Sequence, residues 1–485
     1  MQKSSELKFV ANSTTPKRFL PLVKEDLNTI HDATMAVLGK VGVRFASENA
    51  LNKFKNHGFR VDGQQVFFKE VDILKALETV PNQVTVLARN PKHNLKLTPE
   101  TIAFGTGRGA VTMVDPNGTH RAGTRQDYID VAKLAQSIDT IKHWGPLIHP
   151  GDMDAANSQL WIAKTMIEYL DKPYNYSSAA DIDIIALAFG ISRQDMMDQA
   201  GNGYSYGQGT VTAFSPLTLT AESCLDLFQY AECGIVFHIA SMPIAGSTGP
   251  CTLPGLLVQQ TCENIAPIVL SQLIRPGCPV FYGAIGSHAD MRTVGTVFGS
   301  AEARSFEFAG AQMAKYYGLL CRGNAGLTDA PISDFQAGAE SMQHMLNVTR
   351  AGINFLPGFG LMGNYMEASL AKIILDVELA KYARIYYSPM TLNADTLALD
   401  VINTVGSGGE FVTHPHTRSH CRSEFSTPKI FNRMPYDQWI AKGSKNATNL
   451  AHKEALRIID QYEQPPLDSE IKKDIDLYVN KHWKT

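Results

Sequence analysis

From Arg125 onward the sequence alternates short apolar runs with amphipathic helical stretches, and this beat constrains the fold more than any other feature. Helix-like "QDYIDVAKLAQSI" leads to strand-like "TIKHWGPLIHP", and "NSQLWIAKTMIEYL" leads to "PYNYSSAA". The pattern recurs through "GTVTAFSP", "IVFHIASMPIAG", "PVFYGAIG", "LLCRGNAG" and "INFLPGFGLMG". Seven or eight such units with short apolar strands are what a closed parallel barrel requires, so the expected class is α/β, a TIM (β/α)8 barrel. Several helical stretches stop at a glycine directly before the next strand (Gly234, Gly277, Gly318, Gly352), as tight helix-to-strand connections demand. Pro267, inside an otherwise helical run, predicts a kink or break there.

Outside the beat the chain reads differently. Residues 1–124 mix helical and strand-like runs as an N-terminal α+β cap, including a glycine-rich stretch (Gly105, Gly107, Gly109) whose flanking β-runs predict a hairpin rather than a dinucleotide loop. The barrel is assigned to 125–394. Residues 395–485 form a C-terminal extension laid along the barrel or in a subunit contact.

Composition closes off several functions. The 485 residues are 44% hydrophobic and 19% charged, with a net charge of −3 and no basic run, so a nucleic-acid partner is not expected. The seven cysteines include no CxxC pair and suit reduced thiols in a cytoplasmic protein. No apolar stretch approaches roughly 18 residues, so no membrane span is expected.

In a barrel of this kind the site lies where the strand-to-helix loops gather, at the C-terminal ends of the strands. Residues collected there are rich in aromatics and poor in carboxylates. Such a mouth suits a quaternary ammonium held by cation–π attraction, about 0.5–2 kcal/mol per contact. The central stretch Leu319–Gly338 adds Arg322, Asn324, Asp329 and Asp334, the last read as a helix cap. His414, His416 and His420 invite a zinc reading, yet they follow the barrel and lack a carboxylate at ligand spacing except Glu424. A structural or interface role is favoured and no metal is expected. Phosphate-loop, GxSxG and HExxH motifs are absent.

Three segments, "GLTDAPISDFQAG", "AFSPLTLTAES" and "LALDVI…VGSGGEFVTHPHTRSHCRSE…YDQW", resemble the trimethylamine methyltransferase family of corrinoid-dependent enzymes. The resemblance runs from about Lys24 to the last helix. It implies a TIM barrel over which a separate corrinoid protein docks. The archaeal branch carries pyrrolysine near the sixth strand, but Arg322 to Asp329 here contains only standard residues. The resemblance is therefore to the nonpyrrolysine branch, whose members demethylate glycine betaine, proline betaine or carnitine. The chain is expected to bind no cofactor itself, because the DxHxxG pattern of cobalamin modules is missing, and to meet cobalamin on a cognate corrinoid protein. A homo-oligomer is expected. From the strand-end positions, Phe104, Tyr206, Phe214, Tyr282, Phe355 and Phe359 are candidates for the cation box. Arg322, Asn202 and His149 are candidates for the substrate carboxylate or hydroxyl. The alternative is a non-catalytic quaternary-amine binding or sensor protein on the same barrel.

Overall fold

The computed structural model describes residues 20–293 and 295–484. Seven parallel strands form its central sheet: β1 (Ala103–Thr106), β2 (Ile141–His143), β3 (Gln208–Ala213), β4 (Val236–Ser241), β5 (Val280–Gly283), β6 (Cys321–Arg322) and β7 (Phe355–Phe359). Their order is β3-β4-β5-β6-β7-β1-β2, and every neighbour pairs in parallel. The stretch around Asn175, at the position of an eighth strand, joins β3 through a single parallel bridge to Gln208. Among the described residues no ladder links it to β2, so the sheet curls as a parallel half-barrel.

Helices alternate with the strands as the sequence beat requires. They are α1 (Arg125–Ser137), α2 (Ala155–Tyr169), α3 (Ala221–Glu232), α4 (Leu253–Ile274), α5 (Ala301–Tyr316), α6 (Phe335–Ala351) and α7 (Leu370–Tyr386). Gly234, Gly277, Gly318 and Gly352 all take positive φ, the left-handed conformation that ends each helix before its strand. α4 is a single helical element that contains Pro267, so the chain is not broken there. Side chains buried along nearly the whole of α4 offset the hydrogen bond that the proline removes.

The glycine-rich stretch is also corrected. Ala103–Thr106 and Thr112–Val114 do not pair with each other. The first is a strand of the central sheet, and the second makes a hairpin with His120–Ala122. Gly105 is required at its position because a Cβ there would lie 2.1 Å from the His143 ring on β2.

The N-terminal end of the sheet is plugged. Val84–Val86 and Leu95–Leu97 pair with each other, and Tyr204–Ser205 joins the first of them in parallel. Val84, Val86, Leu95 and Leu97 pack with Ala103, Val236, Phe281, Leu320 and Phe355 in one buried cluster. The tail lies along the helices: α8 (Ala447–Asp460) packs on α7 and α1, and α9 (Ser469–His482) on α2 and on Ile182–Ala188. Among the described residues no helix is long and apolar enough to cross a membrane.

Phe355 stacks on His143 and Phe281 at the centre of the plugged end. Phe355→Ala should therefore cost about 3–5 kcal/mol of stability, as for other buried phenylalanines, read as a lowered urea midpoint. A raised KM at wild-type stability would instead place this ring against substrate.

Candidate active site

The loops leaving β1, β3, β4, β5, β6 and β7 surround an open cavity of about 690 Å³. Two arginines line it. Arg322 ends β6 and is only 5% exposed. Arg108 leaves β1 within the glycine-rich stretch, and its Nη1 donates to Thr210 Oγ1 on β3 at 2.9 Å. Burial lowers the pKa of both from the ordinary arginine value, and the Arg108 charge lowers that of Arg322 further, while Asp181 near Arg108 and Glu307 near Arg322 act the other way. Neither is ion-paired to a carboxylate among the described residues. The neighbouring Tyr365 favours the charged form of Arg322, whose Nε has no hydrogen-bond partner.

A buried cation outside an ion pair is costly, and Arg322 and the half-buried Arg108 have Glu307 and Asp181 in their fields but no carboxylate in contact. His238 on β4 adds no further charge. Burial, followed by the fields of Arg322 and Arg108, pushes its pKa well below the usual histidine value, so the ring is neutral.

Nearer the solvent the lining changes. Phe214 (52% exposed), Met242 and Met366 form the rim, with Glu222 and Asp226 of α3 on one wall. The buried Phe298 and half-buried Tyr365, which also line the cavity, meet edge-to-face at 4.8 Å between ring centroids. Each aromatic is held by a specific device. Glu263 on α4 accepts hydrogen bonds from Ser215 Oγ, Leu217 N and Ser241 Oγ, which fixes the loop carrying Phe214. Asp329 accepts from the backbone of Phe298 and Gly299 at 2.7 and 2.8 Å. Gly363, Asn364 and Tyr365 all have positive φ, a conformation unfavourable for the two non-glycine residues and of a kind found where a side chain must be aimed.

Beneath the cavity a buried network fixes the loop after β6. Glu307 on α5 accepts from Asn324 N, Arg304 Nη1 and His344 Nε2 at 3.0, 3.0 and 2.8 Å. His344 Nδ1 in turn accepts from Leu327 N at 3.0 Å, which makes the ring the neutral Nε2–H tautomer. Burial pushes the Glu307 carboxyl up, but His344 and Arg304 together hold it below the ordinary glutamate value.

Of the residues singled out from sequence, the structure brings Phe214 and Arg322 into this cavity. The others sit elsewhere. Phe104 and Phe359 stack on each other in the main core. Phe355 is in the plug, and the Tyr282 hydroxyl bonds Thr261 on α4. Tyr206 and the exposed Asn202 lie just before β3, at the plugged end, where the Tyr206 hydroxyl bonds Gln199. His149 is exposed beyond β2. Asp334 caps α6, accepting from Ala337 N at 3.1 Å. Arg108, Phe298 and Tyr365 were not singled out, and His238, one of the residues collected at the strand ends, was not among the candidates for substrate contact. Arg108 was signalled by the glycines around it once 103–106 is read as a strand, and Tyr365 by the Gly-Asn turn after "GFGLM".

The model of the trimethylamine methyltransferase family matches residues 2–485. A glycine betaine methyltransferase of Desulfitobacterium hafniense (strain Y51) is 33% identical over 471 residues, covering 96% of this chain and 97% of that protein. A trimethylamine methyltransferase of Methanosarcina thermophila is 27% identical over 464 residues, covering 93% and 95%. The crystal structure of the monomethylamine methyltransferase of Methanosarcina barkeri superposes with a TM-score of 0.53 at 10% identity over 92% of this chain and 89% of that one, a likeness of fold.

The buried network carries a pH signature. Burial pulls the His344 pKa down to about 4, whereas the unfolded chain takes up that proton near pH 6.5. Because the unfolded state binds more protons in that window, stability should fall as pH drops from about 6.5 to about 4, by on the order of 3 kcal/mol. Urea midpoints measured across this range should fall more steeply for the wild type than for His344→Gln.

Proposed function

The chain belongs to the trimethylamine methyltransferase family, and on that premise we propose that it takes a methyl group from a quaternary amine bearing a carboxylate, glycine betaine foremost, and delivers it to the cobalt(I) of a separate corrinoid protein. The observation that carries this reading is the run of the cavity from two arginines outside any ion pair to the exposed Phe214 at the rim, with Glu222 and Asp226 on one wall. A betaine matches that axis. Its carboxylate bridges Arg108 and Arg322, gaining charge-assisted hydrogen bonds and relieving the repulsion between them. Its ammonium then lies among Phe214, Phe298 and Tyr365, attracted by ring faces and by Glu222 and Asp226. The methyls point outward, where a docked partner can reach them.

The chemistry asks little acid–base work of the chain. A quaternary nitrogen leaves as a neutral tertiary amine, so no proton has to be supplied to the leaving group. Cobalt(I) supplies the nucleophile, and the cavity residues hold one N–CH3 bond in line and exclude water. The neutral His238 leaves the charge balance at the carboxylate end to the two arginines. Trimethylamine, which has no carboxylate, would leave both arginines uncompensated. Completion of the sheet into a closed eight-stranded barrel through the Asn175 stretch belongs to the same proposal, and so does the docking of the corrinoid protein over its mouth.

Methyl transfer to free cob(I)alamin, followed anaerobically by absorbance, tests the reaction. Methylcobalamin should form from a betaine and not from choline or trimethylamine. Arg322→Met should raise KM for the betaine roughly 10- to 150-fold, the range for losing a charged hydrogen bond of about 1.5–3 kcal/mol. Binding of betaine without transfer would favour a sensor, and transfer from choline at the same rate would remove the arginines from recognition.

A further inference from the structure

His414, His416 and His420 lie far along the chain from the cavity residues, and the methyl-transfer reading does not use them. The structure separates them. His414 caps its own helix, its Nδ1 accepting from His416 N at 3.1 Å. His416 and His420, four residues apart on the helix Pro415–His420, share one face, with ring centroids 4.2 Å apart. Opposite them is Asp395, from the separate helix Ala394–Leu397. Its Oδ2 lies 3.2 Å from His420 Nε2, and its carbonyl oxygen lies 3.3 Å from His416 Nε2. One ligand atom from each of the three residues falls within 4.8 Å of the others.

We infer that Asp395, His416 and His420 form a structural binding site for a divalent transition metal, zinc in the first instance. Two imidazoles and one carboxylate are ligands zinc accepts, and a tetrahedral ion at about 2.0–2.1 Å from each leaves one position for water. Donors around such an ion lie a little over 3 Å apart. The Asp395–His420 pair is already at that spacing, and a small rotation of the side chains brings the third donor in.

The surrounding segment explains why a metal would be useful there. The helices Ala394–Leu397, Leu399–Val405 and Pro415–His420 contain no buried residue, and Leu397, Leu399, Ile402 and Val412 are exposed. Helices of four to seven residues do not hold themselves together in water. With no apolar core in the segment, a metal that joins the first of these helices to the last closes the intervening loop and orders both.

The test uses the full-length protein, stripped with EDTA and titrated with zinc chloride. About one equivalent should bind. Affinity should fall in both His420→Ala and Asp395→Asn by more than the roughly 10- to 100-fold that loss of an outer-shell partner costs, and should persist in His414→Ala. Amide hydrogen exchange should slow within 394–420 when zinc is added. Zinc affinity unchanged in the Asp395 and His420 variants, slowed exchange only elsewhere in the chain, or no stoichiometric binding at all would each overturn the assignment. None of these readouts depends on methyl transfer.

Discussion

Two arginines in one cavity, neither ion-paired to a carboxylate among the described residues, set the terms for the whole site. Arg322 is fixed by its place at the end of β6 and by Tyr365, and Arg108 by its bond to Thr210. Their mutual repulsion and desolvation work against the folded chain. The half-barrel scaffold supports that cost through its large buried core and plugged floor, and under the proposed function an anionic group of the substrate would remove it on binding.

The elements around the arginines are arranged to keep this geometry rigid. Glu307, Arg304 and His344 satisfy one another and the backbone of Asn324 and Leu327, so the loop after β6 cannot drift. On the other side Lys372 donates to Gly326 O at 2.7 Å and pairs with Asp376, which also accepts from Gly360 N. The loops after β6 and β7 are therefore tied to each other through α7. Glu263 performs the same service for the Phe214 loop. A buried network of this kind, in which Arg304 Nε is left without a partner, specifies one arrangement and penalises the alternatives.

The architecture was legible because period and punctuation agree: apolar runs of strand length, helical faces and glycine stops all mark the same units. β1 escaped because its neighbours in the sheet, β7 and β2, are remote in sequence, whereas the turn "DPNG" advertises a local hairpin. The site was legible only in part for a related reason. Strands buried on both faces show no alternation of polar and apolar residues, so the sequence does not say which way an aromatic ring at a strand end points. Tyr282 turned toward α4, Phe355 into the plug, and Phe104 and Phe359 into the core. Phe214 and Arg322, at or beyond the last residue of their strands, reach the cavity, whereas Phe359, also the last residue of its strand, does not. Arg108, Phe298 and Tyr365 come from loops, where position depends on hydrogen bonds such as those of Asp329, and no periodicity reports them.

The most direct measurement is a crystal structure of the protein soaked with glycine betaine. The polarity of the cavity predicts the carboxylate between Arg108 and Arg322 and the trimethylammonium against Phe214, Phe298 and Tyr365, with a methyl facing the open mouth. Betaine bound in the reverse sense, or bound elsewhere with this cavity left to solvent, would contradict the account.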